Sequence, residues 1–198
     1  MVMSDNIRIT LVGDGKSDKV LKYPLGWLLD QLFPDHVFEF EFSGEKKPKW
    51  KLADKINYAL ELFPCDLLMV HRDVENQTIA QREQEVQEAI NQIKSPGPRF
   101  GFISVTPIKM SEAWLLIDEQ AIREAAGNPN GKEPLPMPSI QELERMDAKK
   151  KAEELLQKAH GGRKRQRKKF NSEMAKHKHL LAKNIEDFAL CHRLYAFQ

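Results

Sequence analysis

Leu11–Asp18 (LVGDGKSD) admits two readings, and the choice between them decides the fold. Its Gly15-Lys16-Ser17 end imitates a nucleotide-binding P-loop, whose pattern G-x-x-x-x-G-K-[ST] needs a long turn of backbone N–H groups around the phosphates. Here the first glycine position is Thr10, inside the apolar run Ile7–Val12 (IRITLV) that reads as a strand. The loop is too short for the cradle. What remains is a strand ending in the turn Gly13-Asp14-Gly15, followed by a helix that Asp14 or Ser17 caps. A carboxylate at a strand tip between two glycines is a place to hold a metal ion.

Working outward, a helix is expected over residues 17–33, with Val20, Leu21, Leu25, Leu28, Leu29 and Leu32 on its apolar face and Pro24 in its first turns. Val37–Phe42 (VFEFEF) alternates apolar and acidic residues, as a half-buried strand does. Trp50–Phe63 returns to helical periodicity. Asp66–Val70 (DLLMV) is a short continuous apolar run, expected of a strand buried on both faces. A polar helix over about residues 77–93 and a fourth strand, Phe100–Val105, follow. Ser111 then opens a helix that runs past Asp118 to Ala126.

The β-α-β-α-β-α-β alternation predicts an α/β fold, a parallel four-stranded sheet with helices on both faces. Residues 1–126 form this domain, and Gly127–Pro138 is a linker or loop. Residues 139–198 form a basic helical extension: helices over about 139–159 and 171–190 flank a basic break, His160–Lys169. Phe188, Leu190, Leu194, Tyr195 and Phe197 are expected to pack this tail onto the main domain.

The 198 residues carry a formal net charge of +2, which hides an asymmetry. Residues 1–139 hold 16 Lys and Arg against 21 Asp and Glu, and residues 140–198 hold 15 against 8. That division suits cations in the front half and polyanions at the tail. No run approaches the roughly 20 apolar residues of a membrane span. The N-terminus lacks a signal pattern, and Cys65 and Cys191 lie far apart without metal spacing. A reduced, cytoplasmic setting is expected, with no membrane partner.

In parallel sheets the chemistry lies at the carboxyl ends of the strands. Asp14 follows the first strand, Asp73 and Glu75 the third, and Glu112 and Asp118 the fourth. Converging carboxylates repel one another, and a hard divalent cation is the usual remedy. Lys109, close to Glu112, is placed to polarise a scissile phosphate. The run Arg163, Lys164, Arg165, Arg167, Lys168 and Lys169 is dense enough to bind a nucleic-acid backbone without reading sequence. His177 and His179, two apart on a helix, are poorly spaced for a shared metal and are expected at the surface. His71-Arg72-Asp73 imitates a kinase catalytic loop, but the Asn expected five residues after the Asp is replaced by Thr78. A receiver-type phosphoacceptor site would need paired acids after the first strand, which are missing.

A strand-end acid followed two strands later by an acid-x-acid pair resembles the TOPRIM domain of topoisomerases, primases and a class of nucleases, over roughly residues 5–120. The family's first motif, approximately E-G-x-[ST]-[ED], is similar to Asp14-Gly15-Lys16-Ser17-Asp18. Its D-x-D motif is matched by Asp73-Val74-Glu75. Ser111–Asp118 (SEAWLLID) resembles the E-x-W-L-L-x-D signature of an uncharacterised TOPRIM-like family associated with abortive infection and phage defence and related to OLD nucleases. Here Asp14 stands for the family's Glu, and Glu75 for its second Asp. The resemblance implies a Mg²⁺- or Mn²⁺-dependent nuclease. Asp14, Asp73, Glu75 and Glu112 would hold the metal, Asp14, Asp73, Glu75 and Lys109 would be catalytic, and a protein partner in a defence system is implied. With weakened acids, the same fold would be a nucleic-acid- or partner-binding module.

Overall fold

The computed structural model describes residues 6–74, 77–94, 97–107, 111–143, 145–162 and 164–194. They fall into two compact units, Met1–Ile108 and Lys109–Gln198.

The first unit is the expected α/β layer. Strands β1 (Asn6–Val12), β2 (Val37–Ser43), β3 (Leu67–His71) and β4 (Phe102–Val105) form one all-parallel sheet in the order β2-β1-β3-β4. Ile9 lies between Phe40 and Leu67, and His71 pairs with Val105. Leu68, Met69, Val70 and His71 are all buried, which is why β3 reads as an unbroken apolar run. On edge strand β2 the glutamates are exposed and the phenylalanines half-buried, as the alternation predicts.

Side chains alternate across a strand, so the helices can be assigned to faces. Val12, Leu68 and Val70 pack with Ala53, Ile56, Ala59 and Leu60 of α2 (Leu52–Leu62) and with Val86 and Ala89 of α3 (Ile79–Ile90). On that face the Thr10 hydroxyl donates 2.7 Å to the Phe63 carbonyl at the end of α2. Ile9, Leu11 and Met69 point to the opposite face, together with Phe40, which lies beside Gly26 of α1 (Lys22–Leu32). The segment preceding α1 is a 3₁₀ turn, Lys16–Leu21, rather than part of one helix. Pro24 falls in the first turn of α1, where its missing N–H costs least. Neither Asp14 nor Ser17 caps the turn through its side chain. Asp18 does so by reaching back to the Gly15 N–H, 3.0 Å away.

The second unit is helical. It contains a 3₁₀ turn (Ser111–Leu115), α4 (Glu119–Ala125), α5 (Ile140–Leu143), α6 (Ala148–His160), α7 (Lys164–Ser172), α8 (Met174–Asn184) and a last 3₁₀ turn (Ala189–Arg193). The division at 108/109 falls before residue 126, where the sequence pattern placed it. The cause is packing: α4 lies against α6 and α8, and Trp114, Leu115, Leu116 and Ile122 are buried. Asp118 is the N-cap of α4, accepting from the Ala121 N–H at 3.0 Å. The 127–138 loop is tied down by Asn128 on the Ala159 carbonyl and by Arg123 on the Glu133 carbonyl. The expected basic break is helical from Lys164. Phe188 and Leu194 are buried and Leu190 is exposed, while Tyr195 and Phe197 lie outside the described residues. Among the described residues no helix is long and apolar enough to cross a membrane.

Candidate functional site

From β1 the chain leaves through α1 toward β2, and from β3 it leaves through α3 toward β4. Adjacent strands whose continuations diverge open a crevice at their carboxyl ends, where open parallel sheets bind ligands. Asp14 lies just past β1, while His71 ends β3 and Arg72 and Asp73 follow it.

The loop after β1 is organised by Asp18. Its Oδ2 accepts from the Asp14 N–H (2.8 Å) and the Gly15 N–H, and its Oδ1 accepts from the Ser17 hydroxyl (3.1 Å). This loop also lies tight against the one after β2. A Cβ on Gly44 would come within 2.7 Å of the Gly15 carbonyl oxygen and of the Phe42 ring. Close approach between the two loops accounts for glycine at position 44.

On the face of α2 and α3, Arg72 joins two acids. Its Nη1 donates to Asp14 Oδ1, and its Nη2 and Nε donate to Glu85 at 2.8 and 3.3 Å. Lys55, nearly buried on α2, donates to the same Asp14 oxygen at 3.1 Å. Arg82 closes the network through Glu85 (2.8 Å) and the Asp73 carbonyl (2.8 Å). Burial raises the Asp14 carboxyl, but Arg72 and Lys55 outweigh it and hold Asp14 below the usual carboxylate range. Burial likewise lowers the Arg72 guanidinium, and Asp14 and Glu85 more than restore it.

On the opposite face, the His71 side chain is wholly buried. Its Nδ1 lies 3.1 Å from the Val105 carbonyl, which can only accept, so Nδ1 carries the proton. Among the described residues Nε2 has no hydrogen-bond partner; it stands 3.5 Å from Asp73 Oδ1 and 3.8 Å from Asp18 Oδ2.

These residues can be tested against a divalent cation. The contacted oxygen of Asp14 is already committed to two protein cations. Among the described residues no three His, Cys, Asp or Glu side chains stand as a closed metal site. His71 Nε2 stands near Asp73 Oδ1 and Asp18 Oδ2 without forming one, and Asp18 Oδ2 already accepts two backbone N–H groups. Neighbouring ligands at about 2.1 Å around an octahedral ion stand roughly 3.0 Å apart, so the 3.5 and 3.8 Å separations would have to close for the His71, Asp73 and Asp18 donors to share such an ion. The Nδ1–H on a backbone carbonyl is the arrangement that orients metal-binding histidines. Were an ion held there, the imidazole would favour a first-row transition ion such as Mn²⁺ over Mg²⁺.

The mouth of this crevice is a cleft of about 690 Å³ lined by Asp14, Lys46, Lys47, Pro48, Lys49, Trp50, Lys55, Arg72 and Asp73. It brings together two of the expected acids. Glu75, Lys109 and Arg163 lie outside the described residues, as do the side chains of Lys164 and Arg165. Glu112 belongs to the second unit, where Lys178 sits 3.6 Å from it and 2.8 Å from Glu153. Arg167, Lys168 and Lys169 are exposed on α7. His177, expected at the surface, is half-buried and stacked on Phe170. Asp18, His71, Lys55, Glu85 and the Lys46–Trp50 loop did not stand out as site residues in the sequence. Strand alternation carries a signal for His71, because it continues the register of half-buried Leu67 and buried Met69. No family model, curated protein or solved structure matches the chain.

Proposed function

We propose that the first unit is a TOPRIM-like, divalent-metal-dependent phosphodiesterase acting on nucleic acid. The observation that carries this reading is the buried His71 Nε2, without a hydrogen-bond partner among the described residues, set between Asp18 and Asp73, the second of which also lines a cleft walled by lysines. Acids to hold a cation and cations to hold a phosphate lie in one crevice, at the switch point of the sheet. His71, Asp73 and Asp18 would hold Mn²⁺ or Mg²⁺. When bound, such an ion neutralises phosphate charge and acidifies its water. Arg72 offers a planar fork that suits a phosphate as well as a carboxylate, and Lys55 a point charge. Asp14 keeps both cations at the cleft floor until a phosphate displaces it. The exposed Arg167, Lys168 and Lys169 supply a second backbone-binding surface, and the resemblance extends the proposal to phage defence.

The test is to incubate the purified chain with plasmid, single-stranded DNA and RNA, in Mn²⁺ or EDTA. Mn²⁺-dependent cleavage abolished by Asp73→Ala and by His71→Asn is expected. Cleavage in EDTA, or cleavage indifferent to both substitutions, would overturn the proposal. The neutralised Asp14 favours a second reading, a module that binds nucleic acid without cutting it. Binding with no cleavage under any metal selects that one.

A further inference from the structure

The loop between β2 and α2, Gly44–Lys51, was assigned no role by the acidic motifs, yet it forms one wall of the cleft. Lys49 is held at φ 69°, and it is the only non-glycine residue with positive φ among the described residues. Left-handed backbone at a bulky residue is uncommon and gathers at ligand sites. Next to it, the Trp50 ring pairs with Tyr58 of α2 at 5.0 Å between centroids. The Lys47 ammonium lies over both rings, 4.6 Å from Trp50 and 4.9 Å from Tyr58. Trp50 is half-buried, so one part of the indole is packed and another faces the cleft that it lines. Among the described residues, the nearby ion pairs engage Lys55 and Arg72 but neither Lys46 nor Lys49.

An aromatic platform beside lysines free of carboxylate partners is the combination that binds single strands: the cations track the backbone and a base stacks on the ring. A paired base has both faces covered by its neighbours and offers nothing to Trp50. The cleft volume lies within the roughly 300–1,000 Å³ of small-ligand pockets, room for a nucleotide and not for a duplex. We infer that Trp50, Lys46, Lys47 and Lys49 form a subsite for single-stranded nucleic acid, one base stacking on Trp50 while its phosphates meet the lysines. This rests on the nucleic-acid reading above and narrows its substrate to an unpaired strand.

The experiment is fluorescence-anisotropy binding in EDTA with the full chain. The background carries Arg167→Ala, Lys168→Ala and Lys169→Ala, so that α7 does not mask the cleft. The probes are a labelled dT12, an rU12 and a 12-base-pair DNA duplex. Single strands are expected to bind at least tenfold tighter than the duplex, with rU12 against dT12 showing which sugar is preferred. Trp50→Ala should weaken single-strand binding roughly 5- to 140-fold, one base stack of about 1–3 kcal/mol at about 1.4 kcal/mol per decade. Trp50→Phe should restore most of it, which separates stacking from a fold defect. Lys46→Ala with Lys49→Ala should lower the log–log salt slope by about 1.4, at about 0.7 per phosphate contact. Equal affinity for duplex and single strand, or a Trp50→Ala variant that is folded by circular dichroism and binds as the parent does, overturns the inference. Binding as expected with no metal-dependent cleavage leaves the subsite standing and removes only the hydrolytic proposal.

Discussion

His71 and Arg72 are neighbours in the chain and serve opposite faces of the sheet. His71 turns toward the Asp18 side, with its Nε2 3.8 Å from that carboxylate. Arg72 turns toward α2 and α3, where it joins Asp14 to Glu85. The alternation that builds a strand thus continues one residue past its end and splits the acids into two groups. Asp14 is neutralised by protein cations, and Asp18 and Asp73 frame the His71 Nε2, which has no hydrogen-bond partner among the described residues.

Arg72 should therefore contribute to stability as well as to any chemistry. Removing it leaves two partly buried carboxylates facing each other's field, with Lys55 alone on Asp14. Arg72→Ala is expected to lower unfolding free energy in urea by about 1–3 kcal/mol, the cost of stranding hydrogen-bonded charges that water still partly reaches. Arg72→Lys should recover less than half of that loss, because one ammonium cannot fork between Asp14 and Glu85. Full recovery by lysine would show that charge alone matters there.

The same pairing sets a pH dependence. The folded Asp14 carboxyl lies below its ordinary value of 3.8, so between the two values the unfolded chain binds more protons than the folded one. Stability from this group is fully present above pH 3.8 and is lost as pH falls through the lower, folded value. Asp66, held down by the Arg8 backbone N–H and guanidinium, acts in the same direction. The diagnostic is consequently a difference. Urea midpoints recorded from pH 6 to pH 2.5 should converge for wild type and Asp14→Asn at the acid end and separate above it. Parallel curves throughout would mean that Asp14 is not coupled to its cations.

Much of this architecture was legible in the sequence, because it depends on local periodicity. IRITLV, VFEFEF and DLLMV each declare a strand, and the glycines after β1 mark the turn that carries Asp14. What pairs with Asp14 was not legible, since Lys55 is 41 residues away and Arg72 58 residues away, and only the folded sheet brings them together. Asp18 looked like an ordinary first-turn acid, and it is one; its second relationship, to His71, is tertiary. The boundary at 108/109 was hidden for a similar reason. Trp114, Leu115 and Leu116 look the same whether a helix packs on a sheet or on other helices.

The two cysteines give a prediction that needs no ligand. Cys191 is fully buried beside the Trp114 carbonyl, 3.6 Å from its sulfur. Burial, with a smaller push from Asp187, raises its thiol to about 12. Alkylation requires the thiolate and access, and both are denied there. Iodoacetamide at pH 8 should label one thiol of the native chain, the half-buried Cys65, and the second only after denaturation. Cys65→Ser should abolish native-state labelling, which mass spectrometry of the intact chain can read directly.

Phe170 tests the second unit. Gln166, Arg167, Lys168 and Lys169 on α7 are exposed, whereas Phe170 is buried between two imidazoles, 4.3 Å from the His160 centroid and 3.8 Å from that of His177. Each histidine is fixed through Nδ1 on a backbone carbonyl, His160 on Ala126 and His177 on Ala125, so the slot is rigid before the phenyl ring enters it. Among the described side chains of α7, Phe170 is the one that is buried. Phe170→Ala should cost about 3–5 kcal/mol, the usual loss for an aromatic removed from a packed site, and should lower helical ellipticity as α7 melts. Phe170→Leu keeps most of the apolar volume but not the stacking, and should lose a smaller part, about 0.5–1.5 kcal/mol of aromatic pairing in addition to the volume change. An alanine variant with unchanged thermal stability and ellipticity would mean that the helix is held by other contacts. In that case the stacked histidines would be a consequence of its position and not the cause.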